Sequence, residues 1–229
     1  MEIIFFYPLI FLFIIISIVL ILKYLQYRKS DYKLESGNSF LKTIFNKGNY
    51  GEFLTFSYLE KLDIFKRFLV NVYLPKYDGT TTEIDLIMLC PKGIYVFESK
   101  NYSGWIFGDE KSQYWTQTLK NKQKNKFYNP IWQNKSHINA LKNILKLQDN
   151  IFKSYIVFSE RCELKKVQFD SDNIKVIKRN RLISTIKEDI EKSPTILKVD
   201  EVLNIYARLK KYSNADEETK KRHIENIAN

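Results

Sequence analysis

The chain predicts a mixed α/β domain behind an N-terminal transmembrane helix, and three observations predict it. Residues Ile3–Leu22 run for 20 positions without a charge. Residues 83–100, EIDLIMLCPKGIYVFESK, set two apolar runs around a Pro-Lys-Gly break, the pattern of a β-hairpin. Asn129-Pro130 opens a helical pattern that leads into the compact apolar run SYIVFS at 154–159. Strands and helices interleaved in this way call for a mixed central sheet flanked by helices. The 229 residues suit one domain plus an attachment. A hydrophobic share of 45% with 15% aromatics excludes a disordered chain. Cys90 and Cys162 lie far apart and form no Cys-x-x-Cys, which excludes a disulfide framework and a cysteine-based zinc site.

The first element, residues 1–23, matches a hydrocarbon core of ~30 Å at ~1.5 Å rise per residue. Pro8 lies in its first turns, where a missing N–H does little harm. A cleaved signal peptide would want a basic start, a shorter run and a small-residue cleavage site, and none is present. Lys23, Arg28, Lys29 and Lys33 follow the span, and no Lys or Arg precedes it. That asymmetry places the N-terminus outside and the rest of the chain in the cytoplasm, with residues 3–22 in the cell membrane's lipid bilayer.

Residues 24–46 read as a basic juxtamembrane stalk with a short apolar patch, SFLKTIF. The core domain is expected over 47–160. It opens with a helix over 47–63, where Phe53, Phe56 and Leu59 make an apolar stripe. A strand is expected near Phe65–Leu74, a turn at KYDGTTT, and then the hairpin of 83–100. A second hairpin is expected at GWIFGDE and QYWTQTL. The next helix starts with Asn129 as cap and Pro130 at its first position and runs to about Gln148. The strand 154–159 closes the core. An α/β extension, 161–229, follows, with a strand near Ile174–Ile177, helices near Arg181–Lys192 and Val199–Tyr212, and a charged tail from Asp216.

Charges inside the first hairpin need a reason. Side chains alternate along a strand, so Ile94, Val96, Glu98 and Lys100 share one face, as do Glu83, Asp85, Ile87 and Leu89. If Pro91-Lys92 is a two-residue loop, Cys90 pairs with Gly93 and Asp85 lies opposite Glu98. Two carboxylates that close repel unless a cation sits between them, and a hard divalent ion suits oxygen ligands. A three-residue loop with a bulge would put Asp85 and Glu98 on opposite faces, and the sequence leaves both registers open. The bland alternative is a surface face of exposed ion pairs, against which Ile-Asp-Leu-Ile-Met-Leu is too apolar.

The stretch ESKNYSGWIFG (98–108) closely resembles the signature of the nuclease-related domain, or NERD, family. GNYGE at 48–52, EIDLIML at 83–89, Trp115, and NPIWQN with His137 at 129–137 resemble it too, in the same order. The family is grouped with restriction-endonuclease-like nucleases of the PD-(D/E)xK fold. By that resemblance Asp85, Glu98 and Lys100 match the D…ExK core, and Glu52 matches an acidic residue on the helix before the sheet. The resemblance implies a phosphodiester hydrolase in which Asp85 and Glu98 hold Mg²⁺ (or Mn²⁺), with Lys100, Glu52 and Gln133 as the other catalytic residues. Glu52 has an equal reading as a favourable first-turn carboxylate, and Gln133 as a solvated helix position. His137, one turn after Gln133, reads as a packed histidine.

A net charge of +11 attracts polyanions, nucleic acid or anionic lipid. Lys120, Lys122, Lys124 and Lys126 alternate with Asn and Gln near aromatic residues. With Trp105 and Trp115 they are expected to meet nucleic acid, DNA rather than RNA, the lysines at phosphates and the rings against bases. No small-molecule cofactor is expected. A catalytically idle module that tethers DNA to the membrane, and a membrane-surface scaffold, are the alternatives.

Overall fold

The computed structural model describes residues 3–76 and 79–213, with isolated positions 215, 218, 219, 221 and 225 beyond, and residues 3–6 in backbone only. Tyr77 and Asp78 of the KYDGTTT turn, and most of the tail after Asp216, lie outside the described residues. A long helix α1 (Ile3–Arg28) leads into two short ones, α2 (Tyr32–Ser36) and α3 (Phe40–Phe45), and then α4 (Lys47–Leu59). Strands β1 (Arg67–Pro75), β2 (Thr81–Cys90) and β3 (Gly93–Lys100) follow. After β4 (Gly104–Asp109), β5 (Tyr114–Thr118) and β6 (Lys124–Tyr128) comes α5 (Pro130–Leu145). The chain continues through β7 (Phe152–Phe158), β8 (Cys162–Gln168), β9 (Ile174–Lys178), α6 (Leu182–Lys192) and α7 (Val199–Lys210).

Two mixed sheets result. The central one runs β1-β2-β3-β7-β9, antiparallel through β3 and parallel from β3 onward. The smaller one runs β6-β5-β4-β8, with β8 parallel to β4. One face of the central sheet packs Leu86, Met88, Tyr95 and Phe97 under Phe53, Phe56 and Leu59 of α4 and Leu182 and Ile186 of α6. The other packs Ile87, Leu89, Ile94 and Val96 under Leu141 and Leu145 of α5 and Val202 and Leu209 of α7. A third cluster, with Trp115, Ile131 and Phe158, fills the space around the small sheet.

β6 and β8 are strands that the sequence pattern does not announce. Both are edges of the small sheet, and both carry lysines outward, as edges that must avoid pairing with another chain do. Their inward side chains, Phe127 on β6 and Cys162, Leu164 and Val167 on β8, pack on the core, too short a signal to read as a strand. α5 stops at Leu145 because Lys146 turns left-handed, at φ 58°.

Residues 24–46 do not form a free stalk. α1 continues to Arg28, and Tyr27 and Tyr32 are buried beside Phe53 and Phe56. Glu60 accepts from Ser30 Oγ at 2.6 Å and from the Asp31 N–H at 2.7 Å. Lys210 of α7 pairs with Glu35 at 2.6 Å. The sequence hides this because the docking is carried by tyrosines and by two charged partners distant in sequence, Glu60 and Lys210. α1 is long and apolar enough to cross a membrane by length and composition. Its join to the domain is a packed one.

Candidate active site

The hairpin takes the two-residue loop, with Cys90 opposite Gly93 and the ladder running to Leu86 opposite Phe97. One step further, Asp85 meets the backbone of Ser99, whose N–H donates to Asp85 Oδ2 at 2.9 Å. Here the pleat breaks. Ile84 packs with Ile87 and Leu89, and Val72 with Leu69, so alternation skips a place at Asp85 and at its neighbour Asn71. Asn71 sits at φ 52°, and the β1–β2 pairing passes over it. The single shared face expected for Glu83, Asp85, Ile87 and Leu89 is therefore corrected: both strands kink in register, at Asn71 and at Asp85, with no residue added to either. Such irregularities re-aim a side chain at the end of a sheet.

Glu98 and Lys100 close β3 on the α5 face, following Ile94 and Val96. Lys100 Nζ donates to Glu98 Oε1 at 2.7 Å and to Gln133 Oε1 at 3.0 Å, tying the strand to the first turns of α5. His137, one turn on, brings Nε2 to 3.1 Å from Glu98 Oε2 and Nδ1 to 2.7 Å from Thr82 Oγ1. With the Thr82 hydroxyl donating to Nδ1, the Nε2–H donates to the carboxylate. The sequence marks His137 only as a packed side chain. It is packed, at 3% exposure, yet it also holds Glu98. Its spacing of four from Gln133 is the signal that puts both on one helical face. A cavity of about 360 Å³ lined by Thr82, Glu83, Tyr128, Gln133 and His137 opens beside the cluster.

Glu52 reaches the same place from α4. Gly51 makes this possible, since a Cβ there would stand 2.7 Å from the Asn101 side chain, just past Lys100. Tyr32 donates to Glu52 Oε2 at 3.4 Å.

The electrostatics follow from crowding. Burial, then Glu83 and Glu98, push the Glu52 carboxyl up to about 8. Burial, then Glu98 and Glu52, hold Asp85 well above the usual carboxylate range. Burial would also raise Glu98, but Lys100 and His137 outweigh it and the carboxyl lies below its ordinary value. Burial would lower Lys100, and Glu98 and Asp85 outweigh it in turn, so the ammonium is held above its usual range. One lysine thus pairs with one carboxylate, and Asp85 and Glu52, without a cation of their own, hold their protons more tightly.

Among the described residues no group of three His, Cys, Asp or Glu forms a ready metal shell. Both Glu98 oxygens already accept hydrogen bonds, while Asp85 uses only Oδ2. The donor set nevertheless fits a hard divalent cation. It is all oxygen, it is acidic, and two of its carboxyls are raised by burial and then by repulsion from neighbouring carboxylates, which such a charge would relieve.

The residues expected at nucleic acid divide. Trp115 is fully buried, which corrects its assignment as a base-stacking ring. Its ring lies parallel to Phe158, 6.1 Å between centroids, and fills space that Gly108 leaves for want of a Cβ. Its Nε1–H donates to the Asp109 carbonyl at 2.9 Å. Trp105 is half exposed, with Lys165 Nζ 5.4 Å from its ring centre. Lys124 and Lys126 point outward from β6, and Lys120 and Lys122 stand exposed in the turn before it. All four belong to the β5–β6 hairpin.

A mixed central sheet that brings Asp85 beside Glu98-Ser99-Lys100 defines an α/β protein with a carboxylate–lysine site. The model of the nuclease-related domain matches residues 47–159, the span from α4 through β7. An uncharacterized protein of Bacillus anthracis is 35% identical over 186 residues, covering 80% of this chain and 84% of its own length. The chain belongs to the nuclease-related domain family. No solved structure matches it.

Proposed function

We propose that this chain is a membrane-anchored, metal-dependent nuclease that hydrolyses phosphodiester bonds, with DNA as its substrate and its domain on the cytoplasmic side. The observation that carries the reading is Lys100, bridged between Glu98 and Gln133 beside two carboxyls held above their usual range. Asp85 and Glu98 would hold Mg²⁺ or Mn²⁺, and Glu52 stands close enough to contribute directly or through water. When bound, such an ion supplies positive charge at the phosphate and lowers the pKa of water. Lys100 meets charge that grows on the phosphate or orients the attacking water. Gln133 fixes the ammonium, and His137 fixes Glu98. The long apolar helix and the basic residues after it support the anchor and its orientation.

One observation favours a second reading, a catalytically idle module that holds nucleic acid at the membrane. Lys100 and His137 occupy both oxygens of Glu98. The deciding experiment incubates the full chain in detergent with duplex, single-stranded and branched DNA and with RNA, with Mg²⁺ or with chelator. Cleavage that needs metal and is lost in Asp85→Asn supports the nuclease. Binding without cleavage of any substrate supports the idle module.

A further inference from the structure

Behind the acidic end of the central sheet, on the α4 side, lies a basic cavity of about 410 Å³. Its wall includes Lys47 and Tyr50 from the first turns of α4, Asn101, Glu160, Arg161 and Arg179. Arg179 is wholly buried, an unusual place for a guanidinium without full pairing. Its Nε donates to Thr55 Oγ1 at 3.3 Å and its Nη1 to Glu160 Oε2 at 3.2 Å. Its Nη2 has no partner among the described residues. Orphaned buried donors are rare, and each calls for an explanation. Burial pulls the guanidinium below its usual range, so the fold carries a cost here.

Charge points to the missing partner. Lys47, Arg161 and Arg179 face one carboxylate, Glu160. A water molecule would satisfy Nη2 and leave the excess positive charge in place. An anion satisfies both. Arg161 is prepared for it: Nη2 donates to the Asn101 carbonyl at 3.1 Å and to Asn101 Oδ1 at 2.9 Å, and Nε to Ser159 Oγ at 3.2 Å. The N-terminal turn of the 13-residue α4, where the Asn46 side chain already takes the Asn49 N–H, adds the positive end of its dipole. Two guanidiniums around a helix start match the fork geometry that phosphate oxygens accept.

The cavity is wired to the reactive end of β3. Asn101 follows Lys100 directly, and the Ser159 N–H donates to the Lys100 carbonyl at 3.0 Å. Ser99, whose N–H holds Asp85, shares a hydrogen bond with Thr55 at 3.0 Å, and Thr55 accepts from Arg179.

We propose that Lys47, Arg161 and Arg179 form a phosphate-binding pocket. It takes a phosphate of the same nucleic-acid strand whose neighbouring phosphodiester lies at Asp85, Glu98 and Lys100. The identity of the ligand as a strand rests on the nuclease reading; the anion chemistry does not. The phosphate is either a terminal phosphomonoester, which would make the protein recognise strand ends, or an internal phosphodiester, which would make it grip the strand beside the cut.

The test is binding in chelator, where cleavage cannot intervene. The full chain in detergent is titrated with a short single strand, labelled at its 3′ end, carrying either a 5′-phosphate or a 5′-hydroxyl. Arg161→Gln and Lys47→Gln change exposed side chains and keep the fold; circular dichroism and Tm check this. Arg179→Lys keeps charge but loses the fork, and is read only if it folds. Each variant is expected to bind about tenfold more weakly, and each Gln variant to lower the salt slope by ~0.7 for single strands. A preference for the 5′-phosphate that vanishes in the variants assigns a terminal phosphate. Equal losses on both strands assign an internal one. Folded Gln variants that bind both strands with wild-type affinity and slope overturn the pocket, as does a wild type that binds neither. A protein that binds as expected but never cuts sinks the nuclease reading alone.

Discussion

The acidic end of the central sheet and the outer face of the small sheet are built on opposite terms. At the first, Glu52, Asp85, Glu98, Lys100, Gln133 and His137 come from α4, β2, β3 and α5, and each shifts or holds another. At the second, Trp105, Tyr114, Tyr128, Lys124 and Lys126 stand out from neighbouring strands, exposed to solvent, with Tyr114 and Tyr128 in edge contact at 6.2 Å. Buried charges in a low-dielectric setting feel one another strongly, whereas exposed ones are screened. The difference teaches where single substitutions have leverage. They should act steeply and non-additively at the sheet end, and mildly and additively on the outer face.

The largest effect expected is on cleavage. Lys100→Ala should leave Mg²⁺ or Mn²⁺ binding nearly intact, because an ammonium offers no lone pair. Losing one positioned electrostatic group costs ~2.7–4 kcal/mol, so the rate should fall roughly a hundredfold or more. Asp85→Asn should lose metal binding and cleavage together. Calorimetric metal titration beside a cleavage assay separates the two roles. Full cleavage by Lys100→Ala removes Lys100 from the chemistry and breaks the contrast at its strongest point.

Next comes His137→Ala. It removes the hydrogen bond to a buried, charged Glu98 and leaves a carboxylate oxygen unpaired. A bond to a charged group is worth ~1.5–3 kcal/mol. The chain should melt several degrees lower without metal. An unchanged melting temperature would mean that water replaces the imidazole, and that the end is less closed than Glu98, at 1% exposure, implies.

A third effect is pH-dependent. Glu52 rises from 4.5 to about 8 in the folded chain, and Asp85 rises too. Between those two values the folded state binds more protons than the unfolded one, so metal-free stability should fall as pH rises. Every tenfold gain in a carboxyl's proton affinity on folding is worth ~1.4 kcal/mol, before partial exposure of Glu52 discounts it. Mg²⁺ should reverse the fall and release protons at neutral pH. Calorimetry in two buffers of different ionisation heat reads that release. Metal uptake without proton release would place the ion away from these carboxyls.

What is legible in the sequence differs between the two regions for a physical reason. The hairpin loop and strand alternation are local, so the sequence offers the register that sets Asp85 beside Glu98 and Lys100, but it leaves a bulged register open as well, and only the observed pairing of Cys90 with Gly93 decides between them. The in-register kink at Asn71 and Asp85 is hidden, because it shows only as a change in which core each side chain joins. Gln133 and His137 are readable as one helix face, but their bonds to Lys100 and Glu98 are long-range. On the small sheet, composition misleads. Trp115 and Trp105 look alike in sequence, and only the pleat decides that one ring fills the space over Gly108 while the other faces solvent. Arg179 gives no signal, since nothing local marks a buried arginine.

The smallest effect belongs to the outer face and sharpens the comparison from its weak side. Lys124 and Lys126 are exposed, so neither is held in the cooperative way that Lys100 is. Changing both to Gln should leave Tm within the scatter of surface substitutions. If each meets a phosphate of duplex DNA, the salt slope should fall by ~0.9 per lysine, and affinity only a few-fold at low salt. The two losses should add. Trp105→Ala, measured beside them, should weaken single strands more than duplex, because a ring stacks on unpaired bases. Slopes unchanged in the double lysine variant would move the nucleic-acid surface off the small sheet. The contrast would then lie between the acidic end and the basic cavity behind it, which hold their charges within a few residues of each other on opposite sides of β3.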